Sequence, residues 1–333
     1  MKIVPQDQLD HLLHSRDIHP VLIDVGASGP PRGAWGPIAA HSIYVGFDPD
    51  LRDVQEMKDS GFHRAIMINA AVVSEKGRSE AEFYLTRSPH CSSTLEPDLD
   101  ALSEYLFTDL FRVERRATVP AATFDTILQR LALDRVHWFK TDSQGTDLRL
   151  FNSLPEPVRS RVLCVEVEPG LIDAYKGEDL FVDAHRDLLR QGFWLSDVRI
   201  CGTVRIRQST LRALMSECPS VNYRRIEKRM RVSPGWTEAT YLRSLDHLAK
   251  LGADRQDYIL LWAFAAAGDQ AGFALDTTMA YEDRFGPDET SKAMKAPILE
   301  WLNQREPVVS GNLVRRVFAS VSYRLKKRLG AVK

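Results

Sequence analysis

The chain has 333 residues, 44% of them hydrophobic and 27% charged, with 19 glycines and 17 prolines. That composition excludes collagen-like, coiled-coil and disordered chains and predicts one large globular domain, or one domain with an appendage. Lys and Arg number 44 against 45 Asp and Glu, a net charge of −1, so no overall field recruits nucleic acid and any binding patch has to be local.

Residues 1–17 are broken by Pro5, Asp7, Asp10 and Asp17 and lack the apolar stretch of a signal peptide. From there short, continuously apolar runs alternate with amphipathic stretches, the pattern of a mostly parallel sheet covered on both faces. Strands are expected at 21–25, 42–47, 65–68, 136–141, 161–167 and 193–200, and helices at 51–60, 123–133, 146–153 and 178–191. The segments 81–86 and 202–207 read as hairpin or edge material. The fold class is therefore α/β, a doubly wound, mostly parallel Rossmann-like sheet over residues 1–207. From residue 208 no strand-like run is visible, and helices are expected at 237–251, 255–267, 270–285, 289–302 and 313–329, a helical appendage over 208–333. Residues 222–232 form a basic stretch (Arg224, Arg225, Lys228, Arg229, Arg231) followed by Ser233-Pro234-Gly235, which suits a break between the two parts. The longest apolar run, 258–267, is ten residues, about half of what a membrane span needs. Residues 313–333 carry seven basic side chains and no acidic one, flanking an apolar face at helical spacing. They read as a docked terminal helix, a peripheral contact with an anionic membrane, or a contact with an acidic partner.

Ligands of an open parallel sheet sit beyond the carboxyl ends of its strands, so the residues ending each strand are the site candidates. The first run ends in Asp24-Val25-Gly26-Ala27-Ser28-Gly29, where Gly26 and Gly29 permit a tight turn whose backbone N–H groups are open to an anionic or polar ligand. Asp24 either supports that turn or meets an amino group of a cofactor. The second run ends at Asp48, about 20 residues past the glycines, where a carboxylate accepts hydrogen bonds from both hydroxyls of a ribose; a helix N-cap is the alternative. After the third, Asn69-Ala70-Ala71 admits an adenine ring or simply ends the strand. The fourth sets Lys140 and Asp142 on one side, and Glu166 and Glu168 share one side of the fifth. Buried charges need partners, so these four are candidate catalytic groups gathered at one rim. His90 is a second candidate base, with an ordinary loop histidine as the alternative. His137, facing away from Lys140, reads as a core histidine.

These stretches, Val21-Leu22-Ile23-Asp24-Val25-Gly26-Ala27, Gly46-Phe47-Asp48-Pro49, Asn69-Ala70-Ala71-Val72, Ser92-Ser93 and Phe139-Lys140-Thr141-Asp142-Ser143-Gln144-Gly145-Thr146-Asp147-Leu148, are together similar to those of FkbM-type methyltransferases. Those are class I enzymes that use S-adenosylmethionine. The resemblance spans about 21–200 and is most specific from Lys140 to Leu148. It implies S-adenosyl-L-methionine as cofactor and methyl transfer to a hydroxyl on a sugar, glycan or similar polyhydroxylated acceptor. On this reading Asp24, Gly26, Ala27, Gly29, Asp48, Asn69, Ala70 and Asp142 meet the cofactor, and Lys140, Asp142, Glu166 and Glu168 serve the chemistry. Pro30 stands where the family usually carries a glycine or small residue and is followed by Pro31; both remove backbone donors, so the next helix is expected to start near 33–35. Asp147 stands where the family has a glutamate.

An in-line methyl transfer requires orientation and removal of a proton and no metal, and Lys140 already neutralises the carboxylates around it. The cysteines Cys91, Cys164, Cys201 and Cys218 show no C-x-x-C spacing, which argues against zinc and a disulfide framework and predicts a reducing compartment, the cytoplasm. Two competing readings share the fold. A nicotinamide-dependent oxidoreductase would use the same turn and ribose acid but needs the third glycine of G-x-G-x-x-G, which is lacking here. A non-catalytic module of the same fold would keep only partner binding.

Overall fold

Ten strands appear in chain order in the structure, a computed structural model that describes residues 3–28, 31, 33–50 and 61–304. They are β1 (Val21–Val25), β2 (Ile43–Phe47), β3 (Arg64–Ile68), β4 (Ala71–Val72), β5 (Glu80–Thr86), β6 (Val113–Ala122), β7 (Trp138–Thr141), β8 (Cys164–Val167), β9 (Phe193–Val204) and β10 (Val232–Arg243). The helices are α1 (Gln6–His14), α2 (Leu99–Leu102), α3 (Phe124–Leu131), α4 (Asp147–Asn152), α5 (Glu156–Arg159), α6 (Phe181–Arg190), α7 (Gln208–Glu217), α8 (Tyr223–Arg229), α9 (Leu245–Lys250), α10 (Arg255–Ala267), α11 (Ala271–Phe285) and α12 (Glu289–Asn303). Met1–Ile298 form one compact unit and Leu299–Lys333 a second. The expected helices at 51–60 and 313–329, with Gly29 and Pro30, lie outside the described residues. No helix among the described residues is long and apolar enough to cross a membrane.

The main sheet has the order β3-β2-β1-β7-β8-β10-β9. Every neighbouring pair is parallel except those of β10, which runs antiparallel to both β8 and β9. The central strands are apolar almost throughout because both faces are covered. On one face Phe139, Val165 and Val167 pack against Phe124 and Ile127 of α3, Leu150 and Phe151 of α4 and Leu188 of α6. On the other, Trp138 and Tyr44 meet Trp35 edge-on, and Trp138 meets Phe264 of α10. Trp35 belongs to a 3₁₀ helix over Gly33–His41, which starts where the two prolines predict. A helix that is apolar all round has to be buried, and α10 is, from Asp257 to Ala266, behind a capping box of Asp254 and Asp257. The doubly wound α/β class is therefore the observed one.

One sequence expectation fails. The region after residue 208 was expected to hold helices alone, with a helix over 237–251; instead residues 232–243 are β10, wedged into the main sheet, and only Leu245–Lys250 is helical there. The sheet thus crosses the expected division at 207/208. The cause is composition: β10 buries alternate residues, Thr237, Ala239 and Tyr241, and small or hydroxylated residues at a period of two leave no apolar run to read. Its last residue, Arg243, is buried and ends over the Phe193 ring at 3.7 Å, donating from Nε to the Val162 carbonyl (2.9 Å) and from Nη2 to that of Arg159 (3.3 Å). Burial pushes its guanidinium down to about 9. The segments 81–86 and 202–204 are edge material as expected, at the edges of two different sheets. β5 pairs with β6, a strand the sequence reading lacked, in a small sheet of order β4-β6-β5, and 202–204 extend β9.

Candidate ligand-binding and catalytic cavity

From β1 the chain proceeds outward to β2 on one side, while β7 lies on the other. At such a reversal the loops beyond the strand ends splay apart and leave a crevice. A cavity of about 1030 Å³ opens there, walled on one side by the loops after β1, β2, β3, β7 and β8 and on the other by β5, β6 and the turn Leu106–Phe111.

The turn after β1 differs from its expected use. The N–H groups of Gly26 and Ala27 both donate to the Phe47 carbonyl (2.9 and 3.0 Å), and that of Ser28 to Gly26 (2.8 Å), so they are spent on holding β1 to β2. Gly26 has φ +78°, and a Cβ there would stand 2.2 Å from the Asp142 carbonyl oxygen. The glycine is required by the close approach of the β7 loop, whose Asp142 N–H donates to Val25 (2.9 Å). Gly26→Ala is expected to lower stability by roughly 1–3 kcal/mol through this clash and the left-handed backbone. An unchanged melting temperature would remove that reading.

Asp48 lines the cavity at the end of β2. Its Oδ1 accepts from the Asp50 N–H (2.7 Å), and Asn69 Nδ2 donates to its backbone carbonyl (3.1 Å). Asn69 thus braces the Asp48 loop and does not itself line the cavity; Ala70 does.

At the end of β7 the loop reverses through two left-handed residues, Gln144 (φ 57°) and Gly145 (φ 103°). Gln144 Nε2 donates to Asp142 Oδ1 (2.6 Å), and the Tyr175 hydroxyl stands 2.9 Å from both Gln144 Oε1 and the Cys91 carbonyl. Ser93 Oγ donates to the Gln144 carbonyl (2.7 Å). Beneath the loop, Asp147 takes Thr141 Oγ1 (3.1 Å) and the Ser143 N–H (2.9 Å) on Oδ1, and the Glu168 N–H (2.7 Å) on Oδ2. It therefore fixes the β7 and β8 ends relative to each other. Burial pushes the Asp147 carboxyl up to about 6.

Of the sequence candidates, Gly26, Asp48, Ala70, Asp142 and Glu168 line the cavity; Asp24, Ala27, Asn69, Lys140 and Glu166 do not. Asp24, Lys140 and Glu166 sit within their strands, in register across the sheet, below the rim where the strands end. Asp24 neither supports the glycine turn nor faces the cavity. Its Oδ1 lies 2.9 Å from Lys140 Nζ, and its Oδ2 accepts from the Tyr44 hydroxyl (2.9 Å). Burial works to lower the Lys140 pKa, but Asp24 and Asp142 outweigh it and the ammonium is held above its ordinary value. His137 is a core histidine as read: it is buried, its Nδ1 accepts from the Val21 N–H (2.9 Å), and burial pushes its pKa down to about 3.

The cavity is acidic. Burial, with Asp142 adding to it and Lys140 opposing, pushes the Glu168 carboxyl up to about 8. Asp142 is raised by burial against the pull of Lys140 and Gln144, and burial pushes Glu178 up to about 7. Asp48, Asp50 and Glu238 add carboxyl groups to the lining, whose only Lys or Arg among the described residues is Arg115. Such a chamber suits a ligand that brings positive charge. His90 lies on the lining, exposed in the turn Pro89–Cys91. Among the described residues no group of three His, Cys, Asp or Glu side chains is arranged to hold a metal ion. Tyr175, Glu178, Trp236 and Glu238 line the cavity and were missed in the sequence. The loop beginning Glu168-Pro169-Gly170 after a buried strand was a signal for the first pair, whereas the second pair was lost with β10.

No protein-family model and no curated protein matches the chain. Among solved structures it is similar to a SAM-dependent methyltransferase from Geobacter sulfurreducens in complex with S-adenosyl-L-homocysteine, with 10% identity over 73% of this chain and 92% of that one and a TM-score of 0.29. It is also similar to an antibiotic-related methyltransferase, with 12% identity over 72% and 95% and a TM-score of 0.27. These are low scores, and function has to be argued from the chain's own geometry.

Proposed function

We propose that the chain is an S-adenosylmethionine-dependent methyltransferase of FkbM type that methylates a hydroxyl on a sugar, glycan or similar polyhydroxylated acceptor. The observation that carries this reading is the acidic cavity at the β1/β7 reversal, with Asp48 on its rim and a carboxyl group of raised pKa, Glu168, in its wall. The donor set fits the cofactor: carboxylates complement a sulfonium, Asp48 at the end of β2 would serve as the ribose-binding acid, and Ala70 and Ala71 on the lining would leave room for a flat ring. When bound, S-adenosylmethionine supplies an electrophilic methyl group. The protein orients the acceptor and removes its hydroxyl proton. Glu168 is the base, its N–H anchored by Asp147, while Gln144 and Tyr175 hold Asp142 beside it. Phe107 and Trp236, with rings within 12° of parallel and centroids 6.4 Å apart, give the cavity flat apolar faces of the kind a sugar ring packs on.

Calorimetry with S-adenosylmethionine tests the reading. Wild type is expected to bind it in preference to NADH, and Asp48→Ala to lose about 2–3 kcal/mol, the worth of a charge-assisted bidentate contact. Equal affinity in both proteins, or preference for NADH, overturns the assignment. An acceptor gaining the mass of one methylene unit per turnover, across a panel of glycans, identifies the substrate.

A further inference from the structure

The notably basic stretch 222–232 takes no part in the cavity. It folds as α8, started by the Asn222 side chain accepting from the Arg225 N–H (3.0 Å) and held down by one buried residue, Ile226, which clusters with Leu106, Val204 and Leu211. The rest of the helix is exposed. Arg224 and Lys228, and likewise Arg225 and Arg229, are four apart and so neighbours on the outward surface. Together with Asn222 they line a recess of about 220 Å³. Among the described residues none of these four, nor Arg231, forms an ion pair, and the one acidic residue of the stretch is Glu227. By contrast the nearby Arg205 and Arg207 are both paired with Glu104. Beside the cations stand three exposed apolar side chains, Tyr223, Met230 and Val232.

We infer that this surface docks the chain on an anionic membrane, the recess taking a lipid phosphate headgroup and Tyr223, Met230 and Val232 entering the interface beside it. Charge complementarity selects an anionic partner. The flanking apolar groups favour a lipid surface over a nucleic acid, because they gain nothing from a phosphate backbone but are stabilised among acyl chains. With an overall charge of −1, the attraction has to be this local. The Ile226 cluster shares Leu106 with the turn whose Phe107 and Phe111 line the cavity, so a docked α8 would hold one cavity wall near the lipid. The inference does not depend on the methyl-transfer reading.

The test is sedimentation of the full chain with vesicles of phosphatidylcholine alone and of phosphatidylcholine with phosphatidylglycerol. Binding is expected only to the second, with a loss of tenfold or more in the R224E/R225E/K228E/R229E variant and a smaller loss in M230S/V232S. Hydrogen exchange on the wild type, which needs no variant to fold, should show residues 222–232 protected by anionic vesicles. No preference for anionic vesicles, undiminished binding by the fourfold variant, or unprotected 222–232 overturns the proposal. Complete displacement by inorganic phosphate assigns the recess to a free anion instead, and preference for single-stranded RNA assigns it to a nucleic acid; each also overturns it.

Discussion

Glu168→Gln is expected to lower turnover by about 10²–10⁴-fold, the usual contribution of a positioned base, while S-adenosylmethionine affinity stays close to wild type. Gln keeps the shape and the backbone anchor to Asp147 but cannot accept the proton. The pH profile separates this from a general disturbance of the cavity. A carboxyl group acts as base only when ionised, and this one is pushed up to about 8 by burial, with Asp142 adding to the shift. Wild-type kcat/KM should therefore rise with pH through about 8 and level off above it, and the rise should vanish in Glu168→Gln. Asp142→Asn removes the neighbouring negative charge, so ionisation becomes easier and the limb should move to lower pH. A limb that persists in Glu168→Gln would show that the base lies elsewhere, with His90 on the cavity lining as the next group to test.

Asp24→Ala is expected to destabilise the fold by about 3–5 kcal/mol, because removing one partner of a buried pair leaves an uncompensated charge. Lys140 would keep its ammonium in the sheet without the carboxylate 2.9 Å away, and the Tyr44 hydroxyl would lose its acceptor. Asp24→Asn, which preserves an acceptor for Tyr44, should cost less. Asp24→Leu combined with Lys140→Met should recover most of the loss, since apolar residues of similar volume commonly replace a buried pair without penalty. Asp24 holds the Lys140 pKa above the ordinary 10.5 despite burial. On the lysine side the stabilisation is thus fully present below pH 10.5 and lost as pH rises through the raised value, so urea denaturation at neutral pH reads all of it. A midpoint unchanged in Asp24→Ala would mean that the pair contributes nothing to stability.

By itself the sequence determined the five parallel strands of the main sheet and the start of β9 to within a few residues, because the central strands, covered on both faces, must be continuously apolar and that pattern is local. It likewise determined α10 and the late helix start at Gly33, where the prolines withhold backbone donors. The strand ends then marked the rim, and Asp48, Asp142 and Glu168 indeed line the cavity. Tertiary structure decided what depends on strand order. Lys140 and Asp24 are 116 residues apart, and only the adjacency of β7 and β1 makes them a pair. β10 was invisible because Thr237 and Ala239 are buried by position in the sheet rather than by hydrophobicity. Trp236 and Glu238 reach the cavity only because that strand is inserted beside β8. The glycine at position 26 was legible as a tight turn, but its physical reason, the Asp142 carbonyl a methyl group would strike, comes from a loop more than a hundred residues away, and no local pattern encodes which distant backbone will approach.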